Sequence, residues 1–130
     1  MKLVIDTNIV LDLFVFRDAA AVSLNAAIAG RQVQWLATPA MREELTAVLA
    51  YEQIAARLGV ANIAASDVMQ AFDEHVQLVE APPAAKVACR DPDDQKFVDL
   101  AVAHGATLLS KDKALLALKR KLPVARNFGQ

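Results

Sequence analysis

Four acidic residues of the 130-residue sequence stand where a single site could collect them: Asp6, Glu44, Asp94 and Asp112. Carboxylates about 4 Å apart repel each other by roughly 4 kcal/mol at an effective dielectric of 20, so a cluster of them requires a neutralising cation. Mg²⁺ prefers carboxylate oxygens, keeps several of its waters and can bridge to a phosphate. Such an ion orients a water molecule, lowers the pKa of that water and stabilises charge on the leaving oxygen. The four acids therefore predict metal-assisted hydrolysis of a phosphodiester bond.

Three of these acids also have a structural interpretation. Asp6 ends the apolar run LVI, and an isolated Asp-Thr-Asn sequence more often caps a helix than forms a site. Asp112 follows TLLS and precedes ALLAL, so it can cap a helix with help from Ser110. Asp94 can interact favourably with the dipole or with the unpaired N–H groups at the start of a helix. For this residue the structural and catalytic interpretations weigh about equally. The metal site is favoured because the four acids coincide.

Other titratable groups are weaker candidates. His75 and His104 are poor rivals, since a packed or solvated histidine is several times commoner than a catalytic one. The lack of a Cys and His cluster argues against structural zinc. Glu44 or Asp94 could accept a proton from the attacking water, and the sequence does not decide between them. Four carboxylates are compatible with one metal ion or with two.

The elements that must position these acids alternate along the chain. Short apolar runs predict strands over residues 3–5, 33–36, 76–79, 107–109 and 122–125. Stretches rich in Ala and Leu predict helices over residues 18–29, 39–58, 66–77, 92–104 and 113–120. Strands this apolar have no polar face, so the alternation predicts an α/β fold with helices on both sides of a parallel sheet. Such sheets bind ligands at the carboxyl ends of their strands.

The predicted helix over 39–58 begins with Thr38 as its cap and Pro39 in its first turn. At about 100° per residue, Glu43 falls almost opposite the apolar stripe, whereas Glu44 lies at its border. Glu44 is therefore the better site candidate. The predicted buried face consists of Met41, Leu45, Val48 and Leu49.

The same construction on the predicted helix over 92–104 turns Asp94 inward and Asp99 outward into solvent. We assign Asp91, which precedes Pro92, mainly to capping. The predicted inward face consists of Phe97, Val98, Leu100 and Ala101.

Length and composition restrict the class of protein. A chain of 130 residues predicts one domain over 1–130, and 55% hydrophobic residues can fill its core. The lone Cys89 cannot form a disulfide within the chain, and no apolar run approaches the roughly 18 residues of a membrane span. The apolar run before Asp6 is too short for a signal peptide, so a cytoplasmic protein without membrane contact is expected.

Charge is distributed unevenly although the formal net charge is only -1. Residues 111–130 carry a net charge of +5, so residues 1–110 carry -6. Taken alone, a solvated helix face explains this basic tail better than a nucleic-acid patch, and the second interpretation gains weight only beside a catalytic site. The basic residues are Lys111, Lys113, Lys119, Arg120, Lys121 and Arg126.

Three segments carry a family resemblance: VIDTNIVLDL, TPAMREELTAVL and DPDDQKFVDLAVAHGATLLSKDKALLAL. Together they resemble the PIN-domain nucleases over nearly the whole chain, and in particular the VapC-like group of toxins from toxin–antitoxin systems. The 11-residue step from Asp94 to Gly105 and the 7-residue step from Gly105 to Asp112 are similar to the family's spacing. The family's first to fourth acids fall on Asp6, Glu44, Asp94 and Asp112.

The resemblance implies further features of the site and its surroundings. Asn8 and Ser110 match polar positions that would orient ligands or water, and Asp93 is a supporting acid. The sequence SKD departs from many relatives, which have a Thr followed by a different residue at this point. With the basic tail beside such a site, we expect five residues to steer RNA phosphates: Lys111, Lys113, Lys119, Arg120 and Lys121.

The resemblance also implies a three-layer α/β/α fold with a five-stranded parallel sheet, dependence on Mg²⁺ or Mn²⁺, and cleavage of RNA. It implies a homodimer and a small antitoxin partner that covers the acidic crevice.

Three alternatives are weighed against this reading. A phosphatase with an Asp after its first strand expects a second Asp two residues on, where this chain has Asn8. A receiver domain would need a paired acid beside the end of the first strand, a phosphorylatable Asp after a middle strand and a Lys late in the chain, and only the last of these is easily matched, by Lys111. The remaining alternative, from a different class, is a non-catalytic RNA-binding or interaction module with the same fold.

Overall fold

Five short parallel strands form one sheet. The computed structural model describes residues 1–129. The strands are β1 (Lys2–Ile5), β2 (Gln34–Ala37), β3 (Val76–Leu78), β4 (Thr107–Leu109) and β5 (Val124–Ala125). Their order in space is β3, β2, β1, β4, β5, so the first strand of the chain is the central one. In register, Leu3 of β1 lies beside Trp35 of β2 on one side and Thr107 of β4 on the other. The predicted five-stranded parallel sheet is confirmed.

Helices connect the strands and flank the sheet. They are α1 (Thr7–Phe14), α2 (Val22–Ala29), α3 (Pro39–Leu49), α4 (Glu52–Ala61), α5 (Ala65–His75), α6 (Gln95–His104) and α7 (Lys113–Leu116), with 3₁₀ turns at Ala19–Ala21 and Pro92–Asp94. Helix α6 packs on β1 and β4, α5 contacts β3, and α1 contacts α2 and α3. The α/β class is therefore as predicted. Within residues 1–129, none of the helices has both the length and the apolar character needed to cross a membrane.

Aromatic contacts organise the core on one side of the sheet. Trp35 of β2 is buried, stacks on Phe14 of α1 at a centroid distance of 6.1 Å and meets the edge of Phe72 of α5 at 5.3 Å. These geometries are the ones that aromatic pairs prefer. The predicted inward face of α6 is buried as a whole, from Phe97 to Ala101 with Asp99 excepted.

Helix α1 was not predicted. Only Asp6 separates this helix from β1. Six of its eight residues are buried, beginning with Thr7, Ile9 and Val10. The helix is only eight residues long, and its polar side consists of Asn8 and Asp12, of which Asp12 is buried, so its mostly apolar sequence resembles a continuation of the strand.

The prediction of one helix over 39–58 is wrong, because the chain forms α3 and α4 instead. The two helices are separated at Ala50 and Tyr51, where both N–H groups bond to carbonyls only three residues back and Tyr51 becomes extended at φ -60° and ψ 140°.

The helix predicted over 113–120 is also too long, since α7 ends at Leu116 and turns follow. Short-range periodicity does not reveal such breaks when no Gly or Pro marks them.

The segment between β3 and α6 contains no helix or strand before the 3₁₀ turn at Pro92, and two side chains of α6 hold it in place. Asp99 accepts hydrogen bonds from the N–H of Ala85 (2.9 Å) and from the Gln95 side chain (2.8 Å), and Gln95 also bonds to the backbone of Val87 and Cys89. The prediction that Asp99 points into solvent is therefore wrong. The helical wheel correctly places Asp99 on the side of α6 that faces away from the sheet. It does not show that a loop covers this side of the helix.

Candidate active site

Asp6 lies at the carboxyl end of the central strand. The N–H of Asp6 donates to Leu109 O of β4, and its Oδ2 accepts a 2.7 Å hydrogen bond from the hydroxyl of Ser110, which is completely buried. Asp6 is the N-cap residue of α1, but its side chain makes no capping hydrogen bond. Burial raises the pKa of Asp6, and the charges of Asp112 and Glu44 raise it further against the hydrogen bonds from Ser110 and Thr7. Capping therefore does not account for this carboxylate.

Asp94 is the last residue of the 3₁₀ turn and the N-cap residue of α6. That turn is capped by Asp91, whose Oδ1 accepts from the N–H of Asp93 at 3.0 Å, as the sequence predicted. The side chain of Asp94 makes no capping bond, and its Oδ2 is buried without any hydrogen-bond partner in the part of the chain described. Burial raises the pKa of Asp94 to about 7, with further contributions from Asp6 and Asp112. An orphaned buried oxygen is uncommon in a folded protein and requires an explanation.

Asp112 combines a structural and a site position. Its Oδ1 caps α7 by accepting from the N–H of Ala114 at 2.7 Å, and its own N–H donates to the Ser110 hydroxyl at 2.9 Å. Ser110 therefore links the first and the fourth acid. The capping interpretation of Asp112 is correct, and it leaves the second carboxylate oxygen free of that role.

Glu44 lies at the border of the apolar stripe of α3, where the helical wheel placed it, while Glu43 is exposed. Lys96 of α6 donates to its Oε1 at 2.7 Å, and the hydroxyl of Thr7 donates to its Oε2. Neither Thr7 nor Lys96 was singled out from the sequence. Thr7 is one residue after Asp6, and Lys96 is two residues after Asp94. This closeness in the chain to two predicted site acids is the feature of the sequence that could have identified them.

The family is identified by comparison. Residues 2–114 match the sequence model described as PIN domain. The chain belongs to the PIN-domain family. A solved structure described as VapBC2 from Rickettsia felis bound to a DNA fragment from its promoter is similar in fold, with a TM-score of 0.65 and 13% identity over 96% of this chain and 98% of that one. No curated protein gave a significant match.

The four acids of this PIN domain come from four separate elements. Ser110 is hydrogen-bonded to both Asp6 and Asp112. The charges of Asp6 and Asp112 help to raise the pKa of Asp94, and the charge of Glu44 helps to raise the pKa of Asp6. Among residues 1–129, no three His, Cys, Asp or Glu side chains already enclose a position for one ion. The donor set nevertheless fits a hard divalent cation, because it consists of oxygens alone and includes the unpartnered Oδ2 of Asp94. An ion that keeps several waters needs few direct protein ligands.

Of the residues predicted to support the acids, only Ser110 is hydrogen-bonded to one of them. Asn8 is exposed on α1, and Asp93 is exposed and contributes its backbone carbonyl, at 2.5 Å from Lys96 Nζ.

The basic tail separates into parts with different surroundings. Lys111 forms an ion pair with the buried Asp12, with Nζ 2.6 Å from Oδ2, so its ammonium is engaged in structure. Lys113, Lys119 and Arg126 line an open groove of about 720 Å³ beside α7 and β5. Arg120 and Lys121 are exposed but do not line that groove.

Proposed function

We propose that this PIN domain is a divalent-metal-dependent ribonuclease. The observation that carries the proposal is the buried, unpartnered Oδ2 of Asp94 beside Asp6 and Asp112, at the carboxyl ends of β1 and β4. Ligands of parallel sheets bind at this end of the strands. A cation bound there would relieve the mutual repulsion of the carboxylates, so cation binding is favourable at this place.

Asp6, Glu44, Asp94 and Asp112 form the proposed catalytic centre for Mg²⁺ or Mn²⁺. When bound, the ion would polarise a phosphate, activate a water and stabilise the leaving oxygen. The protein's own contribution is positioning: Ser110 orients Asp6, while Thr7 and Lys96 hold both oxygens of Glu44. Asn8 is two residues from Asp6, Asp93 adjoins Asp94 in the chain, and both are exposed, which supports a role for them in contacting substrate at the edge of this centre.

The groove lined by Lys113, Lys119 and Arg126 is the proposed approach for the RNA backbone. Lys113 of its lining directly follows Asp112 in the chain, so cations there attract phosphates toward a centre whose own charge is negative. Arg120 and Lys121 add to the positive field of the same tail. Lys111 contributes less than the sequence suggested, because Asp12 neutralises it.

The proposed role is that of the toxin in a toxin–antitoxin pair, acting as a homodimer in the cytoplasm and restrained by an antitoxin protein. The similarity in fold to a VapBC2 complex supports looking for such a partner, and the family membership supports nuclease activity.

The decisive experiment is cleavage of a labelled mixed-sequence RNA by the purified protein with Mg²⁺ or Mn²⁺, with EDTA and Asp94→Asn as controls. Single-stranded DNA of the same sequence tests the choice of RNA. Glu44→Gln and Glu43→Gln form a matched pair on α3, since the first removes a site carboxylate and the second an exposed one.

We expect metal-dependent cutting of RNA that is lost with EDTA, Asp94→Asn and Glu44→Gln and retained with Glu43→Gln. Cutting that survives Asp94→Asn would contradict the assignment of the site. Metal binding without cleavage of any RNA would favour the non-catalytic RNA-binding or interaction module instead.

A further inference from the structure

Lys96 occupies a position where a cation is locally unfavourable. It is the second residue of α6, and the first turn of a helix favours anions because the N–H groups there carry positive partial charge. Sequence choices that contradict a local preference tend to occur where function requires them. The compensating interaction is the ion pair with Glu44, at 2.7 Å.

The ammonium of Lys96 is held from several directions. Besides Glu44, its Nζ contacts the carbonyl of Asp93 at 2.5 Å and lies 5.0 Å from the centre of the buried Phe97 ring, within the range of a cation–π interaction. Its side chain is only 26% exposed. A lysine with this many contacts and this little exposure is placed as a fixed charge rather than as a mobile surface group.

Within residues 1–129 there are three ion pairs, and only the one between Lys96 and Glu44 includes one of the four site acids. The pair engages Oε1 of Glu44, and Thr7 engages Oε2. Glu44 is thus already paired with a cation, and each of its two oxygens already accepts a hydrogen bond. Three carboxylates remain without a protein cation of their own: Asp6, Asp94 and Asp112.

We propose that the Lys96 ammonium takes the electrostatic place of a second metal ion, so that the centre binds a single divalent cation among Asp6, Asp94 and Asp112 while Glu44 stays paired with Lys96. This inference rests on the proposed function, because it presumes that the acids bind metal. It assigns Lys96 as a positioning residue, which acts through Glu44.

The test is the number of Mn²⁺ ions bound per chain at saturation, measured by equilibrium dialysis or by the electron paramagnetic resonance signal of free Mn²⁺. The variants are Lys96→Met, which removes the charge, and Lys96→Arg, which keeps it. Lys86→Met is the matched control, because it removes one positive charge from an exposed position on the loop before α6. Asp94→Asn reports whether the counted ions lie at the acid cluster. Circular dichroism in EDTA checks that each variant is folded.

We expect one Mn²⁺ for the wild-type chain, for Lys96→Arg and for Lys86→Met, and two for Lys96→Met, all reduced by Asp94→Asn. Two ions at the cluster of the wild-type chain would overturn the inference, and so would a single ion in folded Lys96→Met. If Lys96→Met does not fold, the wild-type count alone decides. Binding of no ion would overturn both this inference and the proposed function, whereas two ions would leave the proposed function standing.

Discussion

The hydroxyl of Ser110 donates a 2.7 Å hydrogen bond to Oδ2 of Asp6, although 104 residues separate the two in the chain. Ser110 is completely buried at the end of β4, and Asp6 is buried at the end of β1. Because Ser110 also accepts from the N–H of Asp112, one side chain connects two of the four acids. The orientation of the centre therefore depends on the pairing of two adjacent strands.

Replacement of Ser110 by alanine should weaken metal binding. Partners that orient a metal ligand typically contribute about 10- to 100-fold in affinity, and Ser110→Ala removes the only side-chain donor to Asp6 among the described residues. We expect a loss of that size in Mn²⁺ affinity by calorimetric titration, with Ser110→Thr retaining most of the affinity. Equal affinities for Ser110→Ala and the wild-type chain would show that Asp6 needs no such support.

The stability of the metal-free protein should fall as pH rises. Burial and the neighbouring acids raise the pKa of Asp94 from its ordinary 3.8 to about 7, so the folded chain binds this proton more tightly than the unfolded chain. The stabilisation is complete below about pH 4 and is lost as pH rises through 7. In EDTA, the wild-type chain should therefore unfold at a lower temperature at pH 8 than at pH 5.

Asp94→Asn supplies the control for that pH dependence. Asparagine cannot ionise, so thermal melts of this variant in EDTA should depend less on pH and should exceed the wild-type midpoint at pH 8 by a few degrees. The same dependence on pH in both proteins would mean that Asp94 is not the group responsible.

Charge reversal in the groove should weaken RNA binding. Lys119→Glu removes a cation from the groove, whereas Lys2→Glu removes one from the opposite end of the central strand and serves as the matched control. Each lost phosphate contact on a single strand should lower the slope of log affinity against log salt by about 0.7. We expect that change for Lys119→Glu and none for Lys2→Glu, measured by fluorescence anisotropy with Asp94→Asn protein to prevent cleavage. Identical salt slopes would exclude the groove as the RNA path.

Lys111 should matter for stability more than for RNA binding. Removing it leaves the buried Asp12 without its partner, and since the Lys111 side chain is 40% exposed, the loss should be about 2 kcal/mol, less than for a fully buried pair. Urea unfolding of Lys111→Met measures this free energy. The double variant Asp12→Asn, Lys111→Met should recover part of it, and additive losses would contradict the pairing.

The strands and the positions of the acids were predicted best where a single pattern of apolar residues determines both. The apolar runs before Asp6 and Asp112 could only be buried strands, and the helical wheel separated Glu44 from Glu43 because α3 has one clear apolar side. Prediction failed where long-range contacts decide. No pattern in the chain shows that Lys96 meets Glu44 across 52 residues.

The same distinction explains the errors in the helices. Helix α1 is only eight residues long and mostly apolar, and it follows β1 after a single residue. The break at Tyr51 is made by backbone hydrogen bonds that many residue types can form. Asp99 lies on the side of α6 that a wheel assigns to solvent, but the loop containing Ala85 crosses that side. Such coverage is a property of the assembled chain, which local periodicity does not contain.

The position of β1 in the middle of the sheet affects when activity can appear during synthesis. Strand β1, which Asp6 follows, leaves the ribosome long before its neighbour β4, which begins only at Thr107. Until β4 emerges, Asp6 lacks Ser110, and Asp112 has not been translated. Pairing over so long a separation is also slow to form. A chain whose synthesis stops before Asp112 therefore has no assembled centre, and the proposed nuclease activity appears only after β4 and Asp112 have been translated.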